Sequence, residues 1–295
     1  MEIKYLQTFK TILETGSFQK AAARLNYAQS TVTMQMQLLE QELSVKLFEK
    51  IGRRMVLTQS GSDLLPFINT ALEAVAQMEN YGKRDSELTG TLCVAMPETL
   101  LNYRMQPVIE RFRELAPNVR LSLQMQNCYV IREQIMDGGI DLGVHYDVGG
   151  YGSSVIAKAL SSYPLCLIAS PKLLAQERDF VSSGQRKKVC LLTVDRKSVY
   201  HKRFDAYLTG AGIILDGEME IESIETVKRC VASNLGVACL PRFTVERELK
   251  QGVLLELRTG PWDTQVETVC SWHKNKWITP AMELFIRLVK EKGSD

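Results

Sequence analysis

The sequence predicts an α/β protein with an all-helical N-terminal part, and three observations lead to this fold class. Residues 1–58 show helical periodicity and end in two short strand-like pieces, the pattern of a winged helix-turn-helix. The pattern of residues 59–88 predicts one long amphipathic helix. Residues 89–295 alternate between strand and helix patterns, which predicts two α/β lobes.

Composition excludes several classes of protein. Of the 295 residues 45% are hydrophobic and 24% charged, which is typical of a soluble protein with a sizeable core. No apolar run approaches the roughly 20 residues of a membrane helix, and the first residues predict an amphipathic helix rather than a signal segment. We therefore expect a cytoplasmic protein with no membrane partner. The seven cysteines are dispersed and the three histidines scattered, so we expect neither disulfides nor a metal site.

The helix-turn-helix pattern comes from two apolar stripes at helical spacing. One runs from Phe18 to Leu25 and the other from Val32 to Leu43, with a break at Asn26-Tyr27 between them. The side chains left facing outward on the second helix are mostly short and hydrogen-bonding, which suits base edges in a DNA major groove. They are Gln29, Ser30, Thr31, Thr33, Met34 and Gln37. The alternative is a generic helical hairpin.

A predicted hairpin and a predicted long helix follow. The segment FEKIGRRMVLT indicates a wing whose tip, Arg53 and Arg54, would lie against DNA phosphates or in the minor groove; the alternative is a solvated turn. Residues Gln59 to Glu87 indicate a linker helix that dimerises as a coiled coil, unless its stripe packs on the chain's own core. Its apolar stripe at a/d spacing consists of Leu64, Ile68, Ala71, Val75 and Met78.

The remainder of the chain predicts two lobes around a cleft. TLCVAMP, a helix over Asn102–Pro117, VRLSLQM, YVIREQIMDGG and IDLGVHY follow a βαβαβ order, which implies a parallel sheet. A second set of strands and helices runs from YPLCLIAS to GVACLP, and VETVCSWH with the helix from Pro280 to Glu291 returns to the first set. We expect lobe I at about 89–161 and 268–295, and lobe II at about 162–267. Ligands bind where strand ends and helix N-termini meet in such a cleft.

These residues resemble the LysR-type transcriptional regulators along essentially the whole chain. The resemblance is strongest in LQTF, GSFQKAAARLN, AQSTVTMQMQLLEQELSVKLFEK, RR and LTQSG, and is also found in GTLCVAMP, IREQIMDGGIDLGV and VASNLGVACLP. It implies a winged helix-turn-helix, a linker-helix dimer and a periplasmic-binding-protein-like effector domain, commonly assembled as a tetramer. The recognition helix would begin near Gln29-Ser30 and present Thr31, Thr33, Met34 and Gln37 to the groove.

Two positions depart from the family pattern. Ala28 stands where a threonine often caps the recognition helix, and alanine cannot cap, so Ser30 is a candidate to replace it and shift the helix start. Met34 stands where an arginine often touches DNA. We therefore expect more reliance on Gln29, Thr31 and the two wing arginines, and an operator preference unlike the family's common pattern.

The resemblance also implies where an effector binds. Matching positions lie at the ends of strands on both sides of the cleft: Glu98, Thr99, Leu100, Cys128, His145, Thr193, Asp195 and Ile221. Thr99 opens a helix whose N–H groups could hold a carboxylate, but Glu98 and Asp195 would repel one. This slightly favours a zwitterionic, amine-bearing or neutral ligand.

The sequence thus predicts a DNA-binding transcriptional regulator controlled by a small-molecule effector. Its expected partners are double-stranded DNA, further copies of itself as a dimer or tetramer, the effector and, as a candidate, RNA polymerase. No glycine-rich phosphate loop, GxSxG or HExxH motif is present, so we expect no catalytic residue, cofactor or metal. The alternatives are a redox-sensing regulator acting through Cys128 and a cytoplasmic solute-binding protein, which would leave residues 1–88 unexplained.

Overall fold

The computed structural model describes residues 1–51, 54–80 and 85–293. The chain divides into two compact units, residues 1–83 and 84–295, and each has its own hydrophobic core. No described helix has the length and apolar character required to cross a membrane. The finer division into residues 1–58, 59–88 and 89–295, with the lobe boundaries, stays a prediction.

The N-terminal unit is a three-helix core followed by a hairpin and a long helix. Phe9, Ile12, Val32 and Leu39 are fully buried between the helices. The strands of the hairpin pair antiparallel, with Phe48 opposite Leu57. The elements are α1 (Ile3–Thr15), α2 (Phe18–Leu25), α3 (Gln29–Leu43), β1 (Phe48–Ile51), β2 (Arg54–Leu57) and α4 (Gln59–Asn80). The predicted winged helix-turn-helix is confirmed.

The turn between α2 and α3 follows from its residues. Asn26 adopts the left-handed conformation at φ 56°, which ends α2 at the predicted break. The expectation that Ser30 shifts the start of the next helix was wrong. α3 begins at Gln29 without a side-chain cap, because the N-cap residue Ala28 has no side-chain acceptor. Its first turn is closed instead by the Ala28 carbonyl, which accepts from the N–H groups of Thr31 at 3.0 Å and Val32 at 3.2 Å.

The long helix differs from its prediction in length. We expected one helix over Gln59–Glu87, but α4 is described as far as Asn80, and Asp85–Glu87 form a separate 3-10 turn. The turn belongs to the α/β unit because Leu88, which follows it, is buried in that core, and Asp85 pairs with Arg287 at 3.0 Å.

The predicted apolar stripe of α4 is largely used inside the N-terminal unit. Ile68 is buried, and Leu64 and Ala71 pack against the same core as α1 to α3. Met78 is exposed, by contrast. The stripe is therefore not available as one continuous seam, and the alternative of packing on the chain's own core applies to its first half.

The α/β unit has the predicted order of elements. Strands β3, β4 and β5 are parallel, whereas β11 is antiparallel to β5 and β6. The elements are β3 (Gly90–Met96), α5 (Glu98–Tyr103), α6 (Gln106–Leu115), β4 (Val119–Met125), α7 (Cys128–Met136), β5 (Leu142–Tyr146), β6 (Val155–Ala169), β7 (Arg186–Thr193), α8 (Val199–Ala211), β8 (Ile214–Glu220), α9 (Ile224–Ala232), β9 (Ala238–Pro241), α10 (Glu246–Lys250), β10 (Leu255–Leu257), β11 (Gln265–His273) and α11 (Pro280–Gly293).

One long strand joins the two lobes. β6 pairs with β11 as far as Pro164, and from Leu165 onward it pairs with β9 and β10. In the second lobe β7 is parallel to β8 and bridges to Val237, just before β9. The predicted two-lobed α/β architecture is confirmed.

The single helix expected over Asn102–Pro117 is two helices, α5 and α6, separated at Arg104-Met105. The cause is Pro107, which has no N–H to continue the helix and instead stands at the start of α6.

Candidate nucleic-acid surface and ligand cleft

The outer face of α3 carries most of the predicted DNA-reading residues. Gln29, Ser30, Met34 and Gln37 are exposed, whereas Thr31 and Thr33 are half-buried. The Thr33 hydroxyl donates to the Gln29 carbonyl at 2.9 Å, so it already has a partner within the helix. Fewer side chains of α3 are therefore available for DNA bases than the six that were predicted.

A buried hydrogen bond that the sequence reasoning missed anchors this helix. Gln35 is 3% exposed, and its Oε1 accepts from the Thr8 hydroxyl of α1 at 2.6 Å. A buried amide without a partner would be costly, so this bond fixes the rotation of α3 about its axis. The signal was present, because Gln35 occupies an inward position of the stripe through Val32, Met36 and Leu39.

The predicted wing tip falls largely outside the described residues. Arg53 is not among them, and for Arg54 only the backbone, paired with Ile51, is described. The role of both arginines stays a prediction.

The α/β unit contains a cavity of about 550 Å³ between its lobes. Four of the predicted effector residues line it, namely Glu98, Thr99, Cys128 and Asp195. The Thr99 hydroxyl and the Tyr146 hydroxyl are 2.7 Å apart, and the Asn127 amide donates to the Asp195 carboxylate across the cleft. The full lining is Pro97, Glu98, Thr99, Met125, Gln126, Asn127, Cys128, Tyr146, Val194, Asp195, Ser198, Val199, Tyr200, Glu220 and Glu222.

The other four predicted residues do not line this cavity: Leu100, His145, Thr193 and Ile221. The last three are each next in sequence to a residue that lines the cavity: His145 to Tyr146, Thr193 to Val194, and Ile221 to both Glu220 and Glu222. Successive residues of an extended chain point to opposite sides, so an error of one residue exchanges a cleft side chain for a core side chain. Leu100 is buried within α5.

Two further lining residues, Ser198 and Tyr200, were missed because they belong to the start of α8. That helix was predicted, but nothing in its sequence indicated which end faces the cleft. Ser198 caps α8 by accepting from the His201 N–H at 3.3 Å, and Tyr200 packs edge-on against Tyr146 with ring centres 6.2 Å apart.

His145 is a core histidine rather than a ligand contact. Its ring is fully buried, with Nδ1 2.8 Å from the Tyr146 carbonyl and Nε2 2.8 Å from the Ser271 hydroxyl. Burial disfavours the charged imidazolium and lowers its pKa to about 4.

This histidine should make the α/β unit sensitive to acid. The unfolded chain takes up a proton near the ordinary pKa of 6.5, whereas the folded chain resists until about 4, so the stabilisation is present at neutral pH and is lost as the pH falls toward 4. The free energy of unfolding should drop by about 2 kcal/mol between pH 7 and pH 5. Urea titrations followed by tryptophan fluorescence report on this unit alone, since all three tryptophans lie in it. His145→Gln should flatten the profile and His273→Gln should not; an equal slope in all three proteins would contradict the assignment.

The cavity is strongly acidic. Glu98, Asp195, Glu220 and Glu222 line it, and no lysine or arginine of the described residues does. Asp195 also accepts from the Lys197 N–H at 2.7 Å. These four carboxylates favour a ligand with positive charge over an anion.

The cleft thiol has the properties of a structural cysteine. Cys128 is 5% exposed, and burial raises its pKa to about 12. The thiolate is the reactive form, so a thiol that stays protonated at neutral pH is a poor redox sensor. No cluster of metal-ligating side chains occurs within the described ranges.

Helix α5 of one lobe contacts helix α9 of the other at two places. At its start, the Glu98 carboxylate accepts from the Ile224 N–H at 3.2 Å, which is the first residue of α9. At its end, the Tyr103 hydroxyl bonds the Glu225 carboxylate and accepts from Lys228 Nζ at 3.0 Å. We call these contacts the α5–α9 latch. Sequence reasoning did not find it, because its members are separated by more than 100 residues along the chain.

The latch is held by a buried cation. The Lys228 side chain is 6% exposed and its Nζ lies 2.7 Å from Glu248 Oε1 and 3.0 Å from Glu225 Oε1. These partners outweigh the burial penalty and raise the pKa of Lys228. The positive charge of Lys228 therefore persists at any physiological pH, and so do its contacts at the Tyr103 end of the latch.

Comparison with known proteins gives one consistent result. Residues 3–62 match the model described as bacterial regulatory helix-turn-helix protein, lysR family, and residues 85–294 match the LysR substrate binding domain. The chain is 42% identical over 291 residues to the uncharacterized HTH-type transcriptional regulator YfiE of Escherichia coli, covering 99% of this chain and 98% of that protein. A full-length OxyR variant of Pseudomonas aeruginosa has a similar fold, with a TM-score of 0.73, 20% identity and coverage of 99% and 94%. LysG of Corynebacterium glutamicum with bound effector Arg also has a similar fold, with a TM-score of 0.66 and 17% identity, and the match covers 100% of this chain and 98% of that chain.

Proposed function

The chain belongs to the LysR family of bacterial transcriptional regulators, and on this premise we propose that an amine-bearing small molecule in the α/β cleft controls its binding to an operator. Family membership gives the N-terminal unit the role of DNA binding and the α/β unit that of effector binding. The observation that carries the proposal is the cavity of about 550 Å³, large enough for a metabolite and lined from both lobes.

The charge of the cavity supports the chemical class of the effector. A ligand ammonium group would meet carboxylates from both lobes, such as Glu98 and Asp195. A dicarboxylate would meet like charges on Glu98, Asp195 and Glu222, and a fourth on Glu220, which Arg196 approaches to 3.9 Å. Amino acids with a cationic side chain and simple diamines are therefore the first candidates, and the arginine reported for LysG makes arginine a natural probe.

The test combines operator binding with ligand binding. The full chain should retard a duplex from the region upstream of its own gene, and arginine or putrescine, but not succinate, should raise its melting temperature and alter the retarded complex. Asp195→Asn should weaken binding of the amine about tenfold, the size expected for one charged hydrogen bond. The matched variant Asp216→Asn removes an exposed carboxylate outside the cavity and should change nothing. Stabilisation by succinate alone would contradict the amine class; a retarded complex that no small molecule alters would contradict control by the cleft.

Two features support assembly into a dimer through α4. Phe67 and Met78 are 71% and 70% exposed, although both are large and apolar. With the half-buried Ala71 and the exposed Ala74 they follow one another at spacings of four, three and four residues, which is the a/d pattern of a coiled-coil seam. We propose this stripe as the seam. It shares the partly buried Ala71 and the exposed Met78 with the stripe predicted from the sequence, and it has Phe67 and Ala74 in place of Ile68 and Val75. Tetramer formation and contact with RNA polymerase are carried over as expectations, as is a cytoplasmic location.

The competing functions are less well supported. A redox sensor needs a reactive thiolate, and burial keeps the Cys128 thiol protonated by raising its pKa. A solute-binding protein would have no use for residues 3–62, which match a helix-turn-helix model.

A further inference from the structure

The exposed side chains in the first three turns of α3 are all uncharged. No charged residue stands between Gln29 and Leu39, so the part of the helix that would enter a major groove has no arginine or lysine. Arginine and lysine are the side chains that most often recognise guanine, through its O6 and N7 atoms. A recognition helix without them must discriminate base pairs in another way.

Met34 is the most unusual residue of this surface. It is 52% exposed, whereas Met36 in the same helix is 2% exposed and belongs to the core. Ser30 precedes Met34 by four residues and Gln37 follows it by three, so the three side chains lie on one line along the outermost side of the helix. The line begins in the first turn of α3, and the first turns are the part of a recognition helix that contacts base edges.

We propose that α3 reads A·T base pairs, with the Met34 side chain against the C5-methyl group of a thymine and the Gln37 amide on an adenine. The inference rests on the assignment of the N-terminal unit to DNA binding and goes beyond it by naming the bases. Thymine is the base that offers an apolar group in the major groove, and adenine offers the N7 acceptor and N6 donor that a glutamine amide can bind together. Burying one methyl group on methionine should change affinity about fourfold per half-site.

The packing of α3 supports this assignment to Met34 rather than to its neighbours. The bond between Gln35 and Thr8 fixes the inward side of the helix, so the outward line cannot rotate away. Thr33 is half-buried and its hydroxyl bonds the Gln29 carbonyl, which leaves it poorly placed for a base. Gln29 is also long and exposed but stands at the very start of α3, so Met34 and Gln37 are the long, exposed side chains at the centre of the face.

The experiment selects binding sites for the full-length protein from a pool of random 30-base-pair duplexes, and repeats the selection with Met34→Ala and Met34→Arg. The enriched wild-type site is then synthesised with deoxyuridine in place of each thymidine in turn, which removes only the methyl group. One replacement per half-site should weaken wild-type binding about fourfold and leave Met34→Ala unaffected. Met34→Leu, which keeps the apolar contact, should still distinguish thymine from uracil.

Each outcome decides the question. Met34→Arg should change the preferred base at that one position from thymine to guanine, and Gln37→Ala should lower the preference for adenine at a neighbouring position at least about fivefold. Identical selected sites for wild type and Met34→Arg, or uracil tolerated everywhere by the wild type, would overturn the assignment and leave Met34 as a contact for another protein. Failure of the wild type to enrich any duplex would instead contradict DNA binding itself.

Discussion

Gly61→Ala is expected to destabilise the N-terminal unit by about 3 kcal/mol and to abolish operator binding. Gly61 is the third residue of α4, and a Cβ atom added there would lie 2.3 Å from the Leu47 carbonyl oxygen and 3.0 Å from Leu57 Cδ2. The carbonyl cannot move aside freely, because it already accepts from the Thr58 N–H at 3.0 Å. The substitution therefore pushes α4 away from the base of the hairpin.

The sign of this effect is informative because helix propensity predicts the reverse. Alanine in place of glycine within a helix ordinarily stabilises it by about 1 kcal/mol. Gly210→Ala provides the matched control, since Gly210 lies in α8 with open space where a Cβ would stand, and it should show that gain. Hydrogen exchange followed by mass spectrometry on the full chain separates the two units. Faster exchange is expected over residues 1–80 in Gly61→Ala only; unchanged exchange there would contradict the close approach of Gly61 to the Leu47 carbonyl.

Phe67→Asp is expected to dissociate the dimer, raising its dissociation constant more than about a hundredfold. Each phenylalanine buried at a two-fold seam contributes about 1.5–3 kcal/mol to the free energy of dimerisation. Because both protomers carry the substitution, this contribution is lost twice. The variant also places two like charges close together. Because a dimer binds two half-sites at once, operator affinity should fall with it. Sedimentation velocity over a range of protein concentrations measures the first effect directly.

The control for this variant is Ser62→Asp, which puts the same charge on an exposed position of α4 away from the proposed seam. It should sediment as the wild type does. If Phe67→Asp also sediments as the wild type, the exposed stripe is not the seam. Loss of the folded N-terminal unit would be a different result and is recognised by hydrogen exchange over residues 1–51.

Much of this fold could be predicted from the sequence because its signals are local. The stripe from Val32 to Leu39 and the left-handed residue at Asn26 define the helix-turn-helix within one short segment. The limits of α4 and α6 were predicted less well. Residues 85–87 belong to the α/β unit, because Leu88 packs into its core, and periodicity does not report such a long-range contact.

The candidate cleft was predicted at the level of strand ends but not of side chains. Glu98 and Asp195, which the family resemblance implied, do line the cavity, whereas His145 was chosen in place of Tyr146. Periodicity indicates that one face of a strand is buried, but β5 is buried on both faces, so the pattern there contains no information about which side lines a cavity. The latch could not be found at all, because pairs such as Tyr103 and Lys228 meet only in the folded chain.

The Glu98 carboxylate serves two sites, since it lines the cavity and also accepts a hydrogen bond from the first N–H of α9. If the proposed amine effector draws this carboxylate toward the cavity, the Ile224 N–H loses its acceptor, so we expect occupancy of the cavity and this end of the latch to compete for Glu98. Linkage makes the competition reciprocal: a lobe arrangement that strengthens the cap must lower the affinity of the cavity for the ligand by the same factor. The Lys228 contacts at the other end of α5 involve no residue that lines the cavity, so the expected competition is confined to the start of the helix.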